Sequence, residues 1–131
     1  MSLSIARLAK SSPVHMLGAF ILMGTWAVFA NRHHALPAPV IAGIVQGTLS
    51  ALITLVLKSV IETVARRFNG LPAQIMPPVI SCVTSLILLT SVHRLSGTPE
   101  VLRTVALPLA VSTSYAAIYA QALWRMRRDL S

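Results

Sequence analysis

From Val40 to Leu57 no charged side chain interrupts the sequence, and glycine, alanine and branched or linear aliphatic residues make up most of it. A helix through this stretch would rise about 27 Å at 1.5 Å per residue. The hydrocarbon core of a bilayer is about 30 Å thick and needs about 20 mostly apolar residues to cross. In that solvent every backbone N–H and C=O must be paired inside the segment, so a helix is the form such a stretch adopts. Lengthened through its flanks, this element is expected to occupy residues 39–67.

It is not a uniform anchor. Gln46, Ser50, Thr54, Lys58 and Glu62 recur at every fourth position, which places them on one slowly drifting side of the helix. Gly43, Gly47 and Ala51 form a second row at the same spacing, a pattern that lets two helix backbones approach closely in lipid. The two rows supply a polar stripe and a packing surface on the same helix.

Composition fits a chain committed to spanning helices. Of the 131 residues 55% are hydrophobic and only 11% charged, whereas soluble globular domains carry roughly a quarter charged residues. The formal net charge is +8. In a soluble protein this would suggest nucleic acid, but the arginines cluster beside apolar segments and no basic groove with interleaved aromatics is visible. The charge is therefore read as a topology signal, and no nucleic-acid partner is expected. The single cysteine, Cys82, lies within an apolar segment, where it acts as a small hydrophobe.

The remaining boundaries follow from turn chemistry. Residues 1–12 form a short basic lead-in with Arg7 and Lys10, after which Ser12-Pro13 opens a helix expected over 13–31. Cleavage near Val28-Phe29-Ala30 is the rival for this first segment, but Trp26 sits near its end as an interfacial anchor would, so it is read as a retained helix. Asn69-Gly70 stops the second helix, and Leu71 to Pro78 reads as a proline-punctuated loop. A third helix is expected over 78–95, ended by Ser96-Gly97. Thr98-Pro99-Glu100 opens a fourth over 99–128, with Thr98 as its cap and Pro108 inside it. The expected fold is an all-α integral membrane four-helix bundle forming a single domain over residues 1–131.

Orientation follows the arginines and lysines near the helix ends. Arg7, Lys10, Arg66, Arg67, Arg125, Arg127 and Arg128 fall at one end, against Arg32, Arg94 and Arg103 at the other. The richer end is expected to face the cytoplasm, giving both termini inside a plasma (inner) membrane.

Each candidate site has a plain structural alternative. Lys58 and Glu62 are an i, i+4 pair within a span, where intramembrane charge points to ion handling, yet the Lys58 stem is long enough to snorkel to the interface. Gln46, Ser50 and Thr54 either line a path or bond to neighbouring helices, where Ser112, Tyr115 and Tyr119 share a face. Gln46 is the least suited to plain packing, because its two-ended amide needs partners in lipid. His33, His34 and His93 gather at one predicted surface, but adjacent histidines in a turn rarely address one ion. Ordinary interfacial histidines are expected there, without a metal or cofactor. Arg32, Arg94 and Arg103 either hold an anionic headgroup or phosphate or are solvated helix-end charges, the more common case. The Arg125, Arg127, Arg128 cluster beside Trp124 is expected to meet anionic lipid headgroups.

No catalytic constellation is present. The chain has three carboxylates, no CxxC pair, no phosphate-cradling glycine loop and no nucleophile elbow, so an enzyme is not expected. Two readings of function remain. One is a non-enzymatic accessory or assembly subunit of a larger membrane-protein complex, its polar faces joining helices. The other is a small homo-oligomeric channel or transporter with the stripe of the second helix lining the path.

Overall fold

In the computed structural model, residues 12–130 are described, so the basic lead-in with Arg7 and Lys10 lies outside the described residues. The chain forms four helices: α1 Ser12–Ala30, α2 Ala38–Arg66, α3 Leu71–Leu95 and α4 Val101–Leu130. Among the described residues there is no strand. All four helices are long and apolar enough to cross a membrane.

Short connections make successive helices antiparallel neighbours. Leu49 of α2 packs with Leu89 of α3 and Val105 of α4; further along, Leu57 and Ile61 of α2 pack with Ala116 and Ala120 of α4. The paired numbers rise together on α2 and α4, so these two helices run parallel. One end of the bundle therefore carries the connections 31–37 and 96–100, and the other carries the 67–70 turn, the start of α1 and the end of α4. Helices α2 and α4 each touch the other three, whereas α1 and α3 do not meet.

Helix α1 docks on α2 through glycine. A Cβ added at Gly24 would lie 2.9 Å from the Gly43 carbonyl oxygen, and one at Gly47 would lie 3.0 Å from that of Phe20. The two backbones are thus in direct contact, which only residues without a side chain permit. The Gly43/Gly47 row is spent inside the chain on α1, and Ala51 beyond it is half-buried.

Two boundaries differ from expectation. Residues 71–78 are helical rather than a loop, so α3 begins a full two turns before Pro78. Pro72 falls in the first turn, where its missing N–H costs nothing and its fixed φ suits a helix. Pro77 and Pro78 do forfeit backbone bonds, but Leu71, Ala73, Ile75 and Met76 keep the segment apolar. In lipid a helix missing two bonds is cheaper than an exposed loop missing many. Gly70, at φ +67°, supplies the left-handed break between α2 and α3. At the other end α4 begins at Val101 rather than at residue 99. It continues through the buried Pro108 to Leu130.

Candidate functional site

Two polar arrangements stand out, one sealed and one open. The sealed one lies towards the loop end. His93, near the end of α3, has no solvent-exposed surface, and neither has Gln46 of α2. His93 Nε2 lies 2.8 Å from Gln46 Oε1, and His93 Nδ1 lies 2.7 Å from the Thr98 hydroxyl. An amide oxygen only accepts, so Nε2 carries the proton and Nδ1 takes one from Thr98. The Gln46 amide nitrogen in turn donates to the Ser50 hydroxyl at 2.8 Å. The chain Thr98–His93–Gln46–Ser50 thus joins α2, α3 and the α3–α4 connection with both ring nitrogens satisfied.

A second knot beside it joins α1 to α4. Asn31 and Thr104 are both fully buried. The Asn31 amide nitrogen donates to the Thr104 hydroxyl at 2.7 Å and to the Ala27 carbonyl at 2.8 Å. Its oxygen accepts the Glu100 backbone N–H at 2.9 Å, satisfying a free donor at the start of α4 from another helix. Trp26 Nε1 donates to the Arg103 carbonyl at 3.1 Å. Outside this knot, the His34 ring donates to the Glu100 carboxylate at 3.1 Å. That bond holds the Glu100 carboxyl below the ordinary glutamate value; the nearby Arg103 charge acts in the same direction, and partial burial opposes both.

The open arrangement lies towards the other end. There α1 and α4 diverge and leave a groove of about 940 Å³, floored by α2. Ser50, Thr54 and Lys58 line it from α2; Ser112, Tyr115 and Tyr119 line it from α4; His15 borders it on α1. Tyr115 and Tyr119 stack, with ring centroids 5.8 Å apart. At the far end of the bundle Arg127 of α4 donates to the Ala65 carbonyl at 2.9 Å and to the Phe68 carbonyl at 3.4 Å, capping the α2 terminus.

The α2 stripe therefore divides. Gln46 is absorbed into the histidine network, Ser50 touches both arrangements, and Thr54 and Lys58 face the groove. Glu62 accepts a short hydrogen bond from the Tyr119 hydroxyl. It does not pair with Lys58, which is exposed and makes no ion pair among the described residues. The tyrosine on α4 reaches Glu62 because α2 and α4 run parallel in close contact there.

The histidines separate too. His93 points into the bundle, whereas His33 and His34 sit on the exposed turn after α1. Among the described residues no three histidine, cysteine or carboxylate side chains gather as metal ligands would. Arg32 bonds to the Phe29 carbonyl at 2.9 Å and lies 3.9 Å over the Phe29 ring. Arg94, Arg103 and Arg125 are exposed, and Arg128 lies 5.0 Å over Trp124. Thr98, expected to cap α4, instead holds His93 while Asn31 serves the α4 start. The residues that sequence reasoning missed are Asn31 and Thr104 as a buried pair, and Gly24. A readable signal existed for two of them: Gly24, Ala27 and Asn31 share one helix face at i, i+3, i+7.

No family model, curated protein or solved structure matches the chain.

Proposed function

We propose that the chain is a non-enzymatic accessory or assembly subunit of a membrane complex. The observation that carries this is the fate of the α2 stripe. Gln46 is 0% exposed and Ser50 7% exposed, and both are hydrogen-bonded within the chain. Side chains closed off by their own protomer are not free to line a passage between protomers. Within the protomer, the Leu49–Leu89–Val105 packing sits directly beside them and adds an apolar plug. The stripe thus acts as helix–helix glue at the loop end, which weakens the channel or transporter reading.

The distribution of basic residues supports an orientation with both termini in the cytoplasm of a plasma (inner) membrane. At the termini end Arg66, Arg67, Arg125, Arg127 and Arg128 stand against Arg32, Arg94 and Arg103 at the loop end. The partners are membrane lipids and a larger membrane protein, with self-association as the rival mode of assembly.

Native mass spectrometry of the protein extracted with its surrounding lipid from its own membrane tests this. One copy bound to a larger membrane protein is the expected result. A discrete homo-oligomer alone, together with solute flux on reconstitution, would overturn the subunit reading in favour of a channel.

A further inference from the structure

The groove between α1 and α4 is graded along its length. Glu62 and Tyr119 are bonded, so one turn earlier on each parallel helix Lys58 and Tyr115 stand at the same level. His15, close to the described start of α1, also lines the groove. Helices α2 and α4 therefore bring an ammonium and phenol rings to the end where α1 starts and α4 finishes, and α1 adds an imidazole to the lining. Towards the loop end the lining turns apolar, with Leu22 and Met23 of α1 facing Pro108 of α4. Above these residues the Trp26 and Asn31 bonds to α4 close the wedge.

Charge in the groove is one-sided. Among the described residues, no lining side chain is acidic. Glu62 lies one turn from Lys58, but its carboxylate accepts the Tyr119 hydroxyl and makes no ion pair with the lysine. Lys58 precedes the last residue of α2 by about 12 Å of helix rise, a depth from which a lysine stem brings its ammonium to the headgroup boundary. The same end of the bundle carries the arginines at 66, 67, 125, 127 and 128.

We propose that this groove is a binding site for one anionic glycerophospholipid, its phosphate against Lys58 and its acyl chains running between α1 and α4 towards Met23 and Pro108. An open cleft of about 940 Å³ between apolar helices is filled in a bilayer. An occupant with a charged head and an apolar body matches the gradient, and a negative head supplies the counter-ion that Lys58 lacks among the described residues. This site is independent of the subunit reading and holds for a chain that acts alone or in a complex.

The test uses the purified full chain in detergent, titrated separately with phosphatidylglycerol and phosphatidylcholine of the same acyl composition, with bound lipids counted by native mass spectrometry. Wild type should retain one phosphatidylglycerol per chain, about five-fold more tightly than phosphatidylcholine. Lys58→Met keeps the stem and removes the charge, so it should erase that preference, while Lys58→Arg keeps it. Ala19→Trp fills the groove from α1 and should lower retention of both lipids. Replacing Arg125 and Arg128 by glutamine should leave the preference in place. Equal binding of the two lipids by wild type would overturn the proposal. So would a preference that survives Lys58→Met and is lost with the two arginines. A photo-crosslinker at Val111 adds a check in native membranes: adducts to phospholipid are expected, and adducts to a protein segment alone would overturn the assignment.

Discussion

His93 Nε2 donates to Gln46 Oε1 at 2.8 Å in a part of the bundle with no access to solvent. This one bond joins α2 to α3 and determines how the rest of the polar network is arranged. With Gln46 Oε1 occupied, its amide nitrogen turns to Ser50; with Nε2 of the ring occupied, Nδ1 holds Thr98 and thereby the connection into α4. Each member has a partner, so the network fixes helix register without leaving an expensive orphan group.

Removing both members should therefore cost less than the two single losses added together. Gln46→Leu leaves the His93 N–H unpaired, and His93→Leu leaves the Gln46 carbonyl unpaired. Each change is expected to destabilise by about 1–2 kcal/mol. The double variant should lose at least about 0.5 kcal/mol less than the sum of the two. Reversible unfolding in mixed micelles reads all three values, and strictly additive losses would show that the bond contributes nothing.

Two glycines on α1 should respond to alanine with opposite signs. A Cβ at Gly24 meets the Gly43 carbonyl oxygen at 2.9 Å, a backbone atom that yields only if α1 and α2 separate. Gly24→Ala should destabilise by about 1–3 kcal/mol. Nothing lies within 4 Å of a Cβ at Gly18, so Gly18→Ala should be neutral or stabilise by up to about 1 kcal/mol through lower unfolded-state entropy. The same unfolding assay compares them, and a loss at both positions would mean that close helix approach is not what Gly24 provides.

Helix number and approximate extent were legible in the sequence because span length and apolarity leave few alternatives. Residues 71–78 misled because proline clusters mark loops in water, while lipid penalises an unpaired backbone more heavily than a proline in a helix. The four-residue spacing found the stripe on α2 but not what each member would face. Glu62 meets Tyr119 because of how α4 docks, a relation with no local signature. Gly43 and Gly47 were visible as a close-contact surface, and only the position of Gly24 opposite them shows that the contact is internal. Asn31 fell at the end of the first expected helix with nothing local to mark it as buried, yet α4 packs over that end and covers it.

The carboxyl of Glu100 should titrate below the ordinary glutamate value, held there first by the His34 hydrogen bond and further by the Arg103 charge. A depressed folded-state value means the stabilisation is fully present above the unfolded pKa and is lost as pH falls through the lower folded one. Carbon-detected NMR of the protein labelled at its glutamate carboxyls reads the midpoint directly. In His34→Ala the midpoint should move up towards the ordinary value, and an unchanged midpoint would remove His34 as the cause.

Asn31 should control how firmly α1 is held to α4 at the loop end. Its oxygen accepts the Glu100 backbone N–H, and its nitrogen bonds to Thr104, the residue whose own hydroxyl donates to the Glu100 carbonyl at 2.6 Å. Asn31→Ala removes both links and leaves a half-buried N–H and a buried hydroxyl short of a partner. The expected loss is about 1–3 kcal/mol. Because the links converge on the first turn of α4, the local signature should be faster hydrogen exchange at the Glu100 to Thr104 amides, with the Leu57–Ala116 region unchanged. Trp26→Phe removes one hydrogen bond from the same pair of helices but leaves Asn31 in place, so its effect on exchange should be smaller. If Trp26→Phe instead produced the larger effect, the indole and not the buried amide would be what clamps α1 to α4.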